Sequence, residues 1–210
     1  MIKKNLKTLI ITSILTLLPI LAGLYLWNIL PEQVPSHWDI NGQVDGWSSK
    51  ALFVFGLPCI MVAMQWFCVL VTGADPKKAN HSEKVMQLVL WIIPALTIVL
   101  SAITYMTALG QEVRVEILLP LLVGLTFAVI GNYLPKCKQS YTIGIKLPWT
   151  LNSEENWNRT HRLAGRLWLV GGVGIMLTAV FGSFWILLAI TLVMVLVPTV
   201  YSYSLHRKGI

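Results

Sequence analysis

The chain has 210 residues, of which 56% are hydrophobic and only 12% are charged, and its mean hydropathy is +0.70. Because soluble domains carry about a quarter charged residues, this composition excludes an ordinary water-soluble protein and indicates a membrane protein. Three cysteines, Cys59, Cys68 and Cys137, form no paired framework, so we expect no disulfide.

Six apolar runs qualify, or nearly qualify, as membrane-spanning helices, which need about 20 mostly apolar residues. The first run follows three lysines but lacks a small-residue cleavage site, so we expect an anchor and not a removed signal peptide. The fifth run is short and glycine-rich, and a turn at Gly182 and Ser183 separates it from the sixth. The predicted spans are 8–30, 51–73, 85–108, 117–134, 164–181 and 184–205. The sequence therefore predicts an all-α membrane protein with six transmembrane helices in a single polytopic domain, residues 1–210.

The placement of lysine and arginine predicts the orientation of the chain, because basic residues favour cytosolic loops. With both termini in the cytosol, fourteen of the sixteen basic residues lie inside, and only Lys50 and Arg114 lie outside. The acidic residues divide the other way, so the inside carries a net +10 and the outside −3, which together give the net charge of +7. We therefore interpret the basic excess as topology and attraction to the lipid bilayer, with no direct nucleic-acid binding.

Five prolines, Pro19, Pro58, Pro94, Pro120 and Pro198, fall inside apolar runs. Proline removes a backbone donor and kinks a helix, which membrane helices tolerate when neighbours satisfy the freed carbonyl. One interpretation is ordinary kinks in a helix bundle, and the other is broken helices around a binding cavity.

An internal repeat is a further hypothesis. The pattern N-x-L-P ends the first run at residues 28–31 and the fourth run at residues 132–135, and each copy precedes the longest loop of its half. Three spans per half would give the halves opposite orientations, as in many transporters. A small membrane transporter or permease with an inverted repeat is therefore an alternative function.

The predicted outside loop, residues 31–50, has the pattern of a small β-hairpin. Asn41 and Gly42 form a strong two-residue turn signal between two short extended runs. We expect Trp38 and Trp47 near the lipid headgroups. One histidine beside two aspartates is a weak metal signal, so we predict no metal site here.

The predicted cytosolic loop, residues 135–163, interleaves basic and aromatic residues. An extended segment over 141–145 is followed by a helix that we expect to begin near Asn152 or Ser153, since either can cap it. The helix should run straight into the fifth span, with Trp157, His161, Gly165 and Trp168 on one stripe facing lipid or the bundle. The connection 74–84 is polar, and we expect His81 there to be solvated.

No catalytic motif supports an enzyme. Cys137 with His161, or His161 with Glu154 or Glu155, could form a reactive pair, but none of these pairs lies in a recognisable motif. We predict no enzymatic activity and no cofactor.

Two segments resemble known families. The outside loop reads V-P-S-H-W-D-I-N-G-Q-V-D-G-W-S-S-K and resembles an extracytoplasmic hairpin of unknown function found in many bacterial multi-span proteins. The segment N-Y-L-P-K-C-K and the following Y-T-I-G-I-K-L-P-W-T-L-N-S-E-E-N-W-N-R-T-H-R-L-A-G resemble the signature of the SdpI family of bacterial immunity proteins. Two positions depart from that signature, because Ser140 replaces the usual asparagine and Lys146 the usual arginine.

The resemblance implies a protein of the bacterial inner membrane that protects the cell against a secreted, membrane-active peptide toxin. It also implies a receptor role, in which the cytosolic loop captures a transcriptional repressor when toxin is bound. The candidate toxin-facing residues are Pro35, His37, Trp38, Gly42, Asp45 and Gly46. The candidate partner and signalling residues are Asn132, Lys136, Lys138, Gly144, Lys146, Pro148, Trp149, Thr150, Ser153, Glu154, Trp157, His161 and Arg162.

A row of small residues on the fifth span permits close helix approach. Gly174, Thr178 and Gly182 are four residues apart. The row predicts packing within the chain, and a homodimer seam is the alternative.

Overall fold

The computed structural model describes the backbone of residues 2–181 and 183–210, and the side chains of residues 4–180 and 183–210. In these residues, six helices are long and apolar enough to cross a membrane, as the sequence predicts. Gly182, part of both the predicted turn and the predicted small-residue row, lies outside the described residues. The neighbouring Ser183 caps the last helix, because its hydroxyl accepts a bond from the Ile186 N–H.

The order of the long helices follows the predicted runs, and the predicted β-hairpin is present. Two 3₁₀ turns, Lys78–Asn80 and Leu134–Lys136, lie in or beside the polar segments. A β-hairpin follows the first helix, and a single turn of helix precedes the fifth long helix. The elements are α1 Ile2–Tyr25, β1 Gln33–Trp38, β2 Val44–Ser49, a π-helical turn Leu52–Gly56, α2 Leu57–Ala74, α3 Glu83–Ala108, α4 Val115–Tyr133, α5 Pro148–Asn152, α6 Glu154–Phe181 and α7 Phe184–Arg207.

Three boundaries differ most from the prediction, and one of them is the start of the first helix at Ile2, six residues before the predicted span. The first helix ends at Tyr25 and not near residue 30, and turns connect it to the hairpin. The fifth long helix begins at Glu154, ten residues before the predicted span, because its first turns are polar and the hydropathy pattern starts only at residue 164. The predicted continuity of the capped helix with the fifth span is correct.

The chain divides into two compact units. The first unit contains Met1–Leu70 and Gln87–Glu116, and the second contains Val71–Met86 and Ile117–Ile210. The hairpin belongs to the first unit. The segment with the SdpI-like signature, residues 132–165, belongs to the second and is called the signature segment below.

In the first unit, the hairpin covers an apolar cluster at the end of the helices. Leu30 and Val34 pack with Phe53, Val54 and Tyr105, and all five side chains are buried. Because Val34 is fully buried, β1 fixes the hairpin on the helices by apolar burial.

The hairpin turn has three residues, 40–42, where the sequence predicted two. The Asp39 N–H donates to the Gln43 carbonyl at 2.8 Å, and the Gly42 N–H donates to the Asp39 carbonyl at 3.0 Å. Only Gly42 has a positive φ, +77°, whereas the predicted turn needs a positive φ at Asn41 as well. The Asp39 carboxylate accepts the backbone N–H groups of Asn41 and Gln43, which favours the longer turn.

Proline kinks are braced by side chains in both units. Pro94 frees the Leu90 carbonyl, which accepts a 2.9 Å bond from the Gln65 side-chain amide. In the second unit, Pro198 frees the Met194 carbonyl, and the Trp168 indole N–H donates to it at 3.0 Å. These bonds favour ordinary kinks at both prolines.

The two braces also bear on the repeat hypothesis. Each unit holds three long helices or the greater part of them, and in each the second helix braces the third. Pro94 and Pro198 are 104 residues apart, which is also the distance between Pro31 and Pro135 in the two N-x-L-P copies. The shared spacing adds a structural feature to the three residues that the two N-x-L-P copies have in common.

In the second unit, glycines bring α4 and α6 into close contact. A Cβ atom at Gly124 would lie 2.5 Å from the Gly172 carbonyl oxygen, and one at Gly131 would lie 2.5 Å from the Leu169 nitrogen. Gly174, from the predicted small-residue row, faces Ile190 of α7 instead. At Gly174 the predicted row thus packs within the chain, although the close approach of α4 and α6 uses a different face of α6.

Candidate functional site

A buried lysine fastens the hairpin to the end of α1. The Lys50 ammonium donates to the carbonyls of Trp27 at 3.1 Å and Leu30 at 3.3 Å, and to the Glu32 carboxylate at 3.0 Å. It also lies 4.9 Å from the centre of the Trp27 ring. Lys50 is only 7% exposed, so it is unavailable to an external ligand. Its role is structural, because its hydrogen bonds hold the end of the hairpin against residues 27–32.

The predicted toxin-facing residues divide into supporting and exposed ones. Pro35 is buried, and Gly46 lies against the His37 Cβ atom. Gly42 forms the tip, where an added Cβ atom would meet Glu116 at the start of α4. The exposed pair is His37 and Asp45, with the imidazole Nδ1 2.5 Å from the carboxylate. Trp38 is half-buried.

The centre of the SdpI-like segment is a stacked pair of buried side chains. The Trp157 and His161 rings are stacked with their centres 4.0 Å apart, and both side chains are almost fully buried. The Trp157 indole N–H donates to the Cys137 carbonyl at 2.8 Å. The predicted stripe on this helix therefore faces the interior and not lipid.

His161 has both ring nitrogens engaged, which fixes its tautomer. Its Nδ1 lies 2.8 Å from the Trp157 carbonyl, which can only accept, and its Nε2 receives the Ile145 N–H at 2.9 Å. The neutral ring protonated on Nδ1 satisfies both partners. Gly144, with φ +126°, passes so close that a Cβ atom would lie 2.6 Å from His161 Nε2.

A short helix, α5, carries the next predicted residues. The Thr150 hydroxyl donates to the Ile145 carbonyl at 2.8 Å and accepts the Leu147 N–H at 2.9 Å, which closes the turn that opens with Pro148. Ser153 caps α6 by accepting the Asn156 N–H at 3.2 Å. Of the two predicted caps, Ser153 is therefore correct, because Asn152 ends α5 instead.

Trp149 projects from α5 onto the end of α7. Its ring lies 5.4 Å from that of Tyr203 and stacks at 6.0 Å on that of His206. Among the described residues, its indole nitrogen is one of three buried side-chain polar atoms that lack a hydrogen-bond partner. The ring, and not its N–H, accounts for the contacts of Trp149.

The remaining predicted residues of this segment point outward. They share exposure to solvent, and four of the seven are basic, so they add positive charge around the buried framework. The exposed residues are Asn132, Lys136, Lys138, Lys146, Pro148, Glu154 and Arg162. The structure thus separates the predicted loop into an inner framework and an exposed basic set.

His81, in the connection between α2 and α3, is buried, so our prediction that it is solvated is wrong. Its side chain is 3% exposed and its Nε2 lies 3.2 Å from the Asp75 carboxylate, whose side chain is fully buried. The same carboxylate accepts the Tyr141 N–H at 3.0 Å and the Thr142 hydroxyl at 2.8 Å. Polarity suggested a solvated linker, but the signature segment folds over it.

Family models of known proteins match the two regions described above, the hairpin and the signature segment. Residues 136–202 match the model of the SdpI/YfhL protein family, and residues 14–62 match a model described as a domain of unknown function, DUF1648. The chain is 29% identical over 213 residues to a protein named Immunity protein SdpI from Bacillus subtilis (strain 168), covering 98% of this chain and 97% of the relative. The chain is therefore similar to SdpI/YfhL proteins, by family model over residues 136–202 and by sequence identity over almost its whole length. No solved structure matches it.

The SdpI/YfhL match begins at Lys136 and includes the stacked pair, α5 and most of α7. The second match contains the hairpin and Lys50. Asp75 and His81 lie outside both matches.

Sequence reasoning missed four residues whose side chains form buried polar contacts, Lys50, Gln65, Asp75 and His81. Lys50 and Asp75 have a partial signal, because a lone lysine on an acidic side and an aspartate next to an apolar run both need a partner. Gln65 has none in the sequence, since the carbonyl that it binds is 25 residues away along the chain. His81 has one partner only six residues away, Asp75, but its second partner, Thr142, is 61 residues away, and no local pattern predicts that the pair is buried.

Proposed function

We propose that this protein is an immunity protein of the bacterial cytoplasmic membrane that protects its cell against a secreted, membrane-active peptide toxin. The observation that carries the proposal is the similarity to Immunity protein SdpI, which extends over 98% of the chain. A relationship confined to the helices would support only a shared membrane fold, whereas this one includes both polar regions.

The proposed orientation places both termini and the signature segment in the cytosol and the hairpin outside. It rests on the distribution of basic residues, fourteen of sixteen on the inner side. In this orientation the exposed pair His37 and Asp45 is available to a toxin, while Lys50 keeps the hairpin fixed to α1.

The mechanism is non-covalent. The hairpin and the outer helix ends bind the toxin or occupy the surface that the toxin attacks. Because the hairpin is held by Val34 and Lys50, it presents its exposed residues without first becoming ordered, which lowers the entropic cost of binding.

A receptor role would use the exposed basic set of the signature segment. Lys138, Lys146 and Arg162 surround a rigid centre formed by Trp157 and His161. These cations could bind acidic groups of a transcriptional repressor next to anionic lipid. Toxin bound outside would have to favour one of two arrangements that differ in repressor affinity.

Protection in a sensitive host tests the proposal. Bacillus subtilis cells that lack their own Immunity protein SdpI would express this chain and receive culture supernatant from a toxin-secreting strain. We expect survival with the wild-type chain and with Glu155→Gln, an exposed control, and reduced survival with His161→Ala and Trp149→Ala. Equal killing with and without the chain, at confirmed membrane expression, would contradict the proposal.

Receptor activity needs a separate readout. A transcriptional reporter controlled by the repressor should respond to toxin in cells with the wild-type chain and not in cells with Trp149→Ala. Loss of the reporter response with retained survival would separate the two roles.

The transporter alternative requires a cavity near mid-membrane, lined by the kinking prolines. The carbonyls freed by Pro94 and Pro198 are instead satisfied by neighbouring helices. A small cavity in the second unit lies beside the polar connection, bordered by His81, Cys137 and Ile143. Neither observation favours transport.

A further inference from the structure

We propose that Asp75 and His81 are positioning residues of the signature segment, and that they hold residues 139–142 in the conformation that the segment needs for its role. The importance of that role rests on the proposed function, whereas the anchoring contact can be tested without it. Both residues lie outside the parts of the chain that the family models match.

The Asp75 carboxylate is the centre of the anchor. One oxygen accepts the Lys77 N–H at 2.7 Å. The other accepts the Tyr141 N–H, the Thr142 hydroxyl and, at 3.2 Å, the His81 ring nitrogen. Because its side chain is fully buried, these protein groups replace the water that an exposed carboxylate would bind.

The ionised form of Asp75 is the one that suits this site. Burial opposes ionisation, but the bonds from Lys77, Thr142, Tyr141 and His81 outweigh it, and the pKa of Asp75 lies below its ordinary value. An asparagine of the same shape has only one accepting oxygen, so at least one of the donors would face an amide NH₂ group.

A second set of contacts extends the anchor to α5. The Lys77 ammonium bonds to the Gln139 side-chain oxygen, and the Asn80 side chain donates to the Gln139 carbonyl at 2.7 Å. The Gln139 amide in turn donates to the carbonyls of Thr150 at 2.8 Å and Leu151 at 2.9 Å. The α2–α3 connection is therefore linked through one glutamine to the helix that carries Trp149.

The part of the signature segment that Asp75 contacts depends on such contacts because it has no regular structure of its own. Residues 137–147 form neither helix nor strand. With no backbone ladder to hold them, their conformation is set by side-chain anchors, the stacked Trp157 and His161 on one side and Asp75 on the other. Loss of either anchor should release the segment locally, as weakly bonded segments open before the whole protein unfolds.

The native Cys137 thiol provides a reporter of that release. Cys137 is buried, it borders the same small cavity as His81, and burial raises the pKa of its thiol to about 11. The rate of maleimide labelling at fixed neutral pH, in permeabilised membranes, reports how often the segment opens. Cys59→Ser and Cys68→Ser remove the other two thiols.

Four variants in this background define the anchor. We expect Asp75→Asn and Thr142→Val to label about tenfold faster, since each leaves a buried partner without a hydrogen bond. Thr142→Ser keeps the hydroxyl and should label at the wild-type rate. Glu155→Gln makes the same acid-to-amide change as Asp75→Asn, but at an exposed carboxylate, and should also leave the rate unchanged.

The combined variant Asp75→Asn with Thr142→Val tests whether the two residues act through each other. We expect it to label little faster than Asp75→Asn alone, because both changes remove the same contact. Wild-type labelling rates in Asp75→Asn and Thr142→Val would overturn the proposal. Should Asp75→Asn fail to accumulate in membranes, Thr142→Val against Thr142→Ser decides the question.

The same variants in the supernatant challenge test the role of the anchor. We expect survival to fall in Asp75→Asn and Thr142→Val and to be restored in Thr142→Ser. Faster labelling with full survival would overturn the positioning role. If the wild-type chain itself gives no protection, the proposed function fails, while the labelling rates still decide whether Asp75 anchors the segment.

Discussion

The side-chain amide of Gln65 donates a 2.9 Å hydrogen bond to the carbonyl of Leu90, four residues before Pro94. The same amide donates to the Thr12 hydroxyl at 2.8 Å, so one residue of α2 joins α1 to α3. In lipid no water can replace either bond. Gln65 therefore supplies the hydrogen bond that Pro94 cannot donate to the Leu90 carbonyl.

Gln65→Leu should destabilise the protein by about 1–2 kcal/mol, because it leaves the Leu90 carbonyl and the Thr12 hydroxyl without this partner. Adding Pro94→Ala should recover part of the loss, since alanine restores the N–H that normally satisfies Leu90. Unfolding in detergent, followed by circular dichroism, measures both effects. An exposed control is Gln111→Leu. Equal losses with and without Pro94→Ala would contradict the brace.

Lys50→Met should loosen the hairpin. The change leaves the carbonyls of Trp27 and Leu30 without their lysine donor, at a cost of about 1–3 kcal/mol. Arg114→Met, which removes a cation from an exposed position, should cost less than about 0.5 kcal/mol. Protease cleavage within the hairpin in intact cells measures the difference. Similar cleavage of both variants would show that the hydrogen bonds of Lys50 do not hold the hairpin in place.

Gly144→Ala should disrupt the signature segment far more than Gly110→Ala. Both glycines have a positive φ, +126° and +75°, so alanine is strained at either position by about 1–2 kcal/mol. At Gly110 the added methyl group meets nothing within 4 Å, whereas at Gly144 it would collide with His161 and Trp157. We expect rapid Cys137 labelling in Gly144→Ala and wild-type labelling in Gly110→Ala. Equal labelling rates would contradict this prediction, because they would mean that the segment accommodates the added methyl group without opening.

Acid should open the signature segment through Asp75. A carboxylate with a lowered pKa stabilises the fold above its ordinary pKa, 3.8, and loses that contribution as the pH falls through the lowered value. Access to Cys137, followed with a dithiodipyridine reagent that reacts in acid, should therefore rise below pH 3.8. In Asp75→Asn it should already be high and change little over that range. An identical acid transition in both proteins would assign the step to another titratable group, such as His161, whose Nε2 accepts the Ile145 N–H only while it is unprotonated.

The amino-acid sequence by itself determined the class of fold, the six helices and the positions of the two polar regions. These features follow from local composition, because long apolar runs must be helical in lipid and because Gly42, Pro148 and Ser153 act on their own neighbours. It also determined the family resemblance, since the signature is contiguous along the chain.

Only the tertiary structure decided which polar residues are buried and with which partners. His81 and Asp75 looked like ordinary linker residues, and Trp157 and His161 could have faced lipid or protein with the same helical spacing. Their environment depends on segments about 20 to 70 residues away, such as the carbonyl of Cys137 and the backbone of Tyr141. A polar group can be buried only where donors or acceptors satisfy it. Because those partners are distant along the chain, the local sequence pattern does not predict which polar groups are buried.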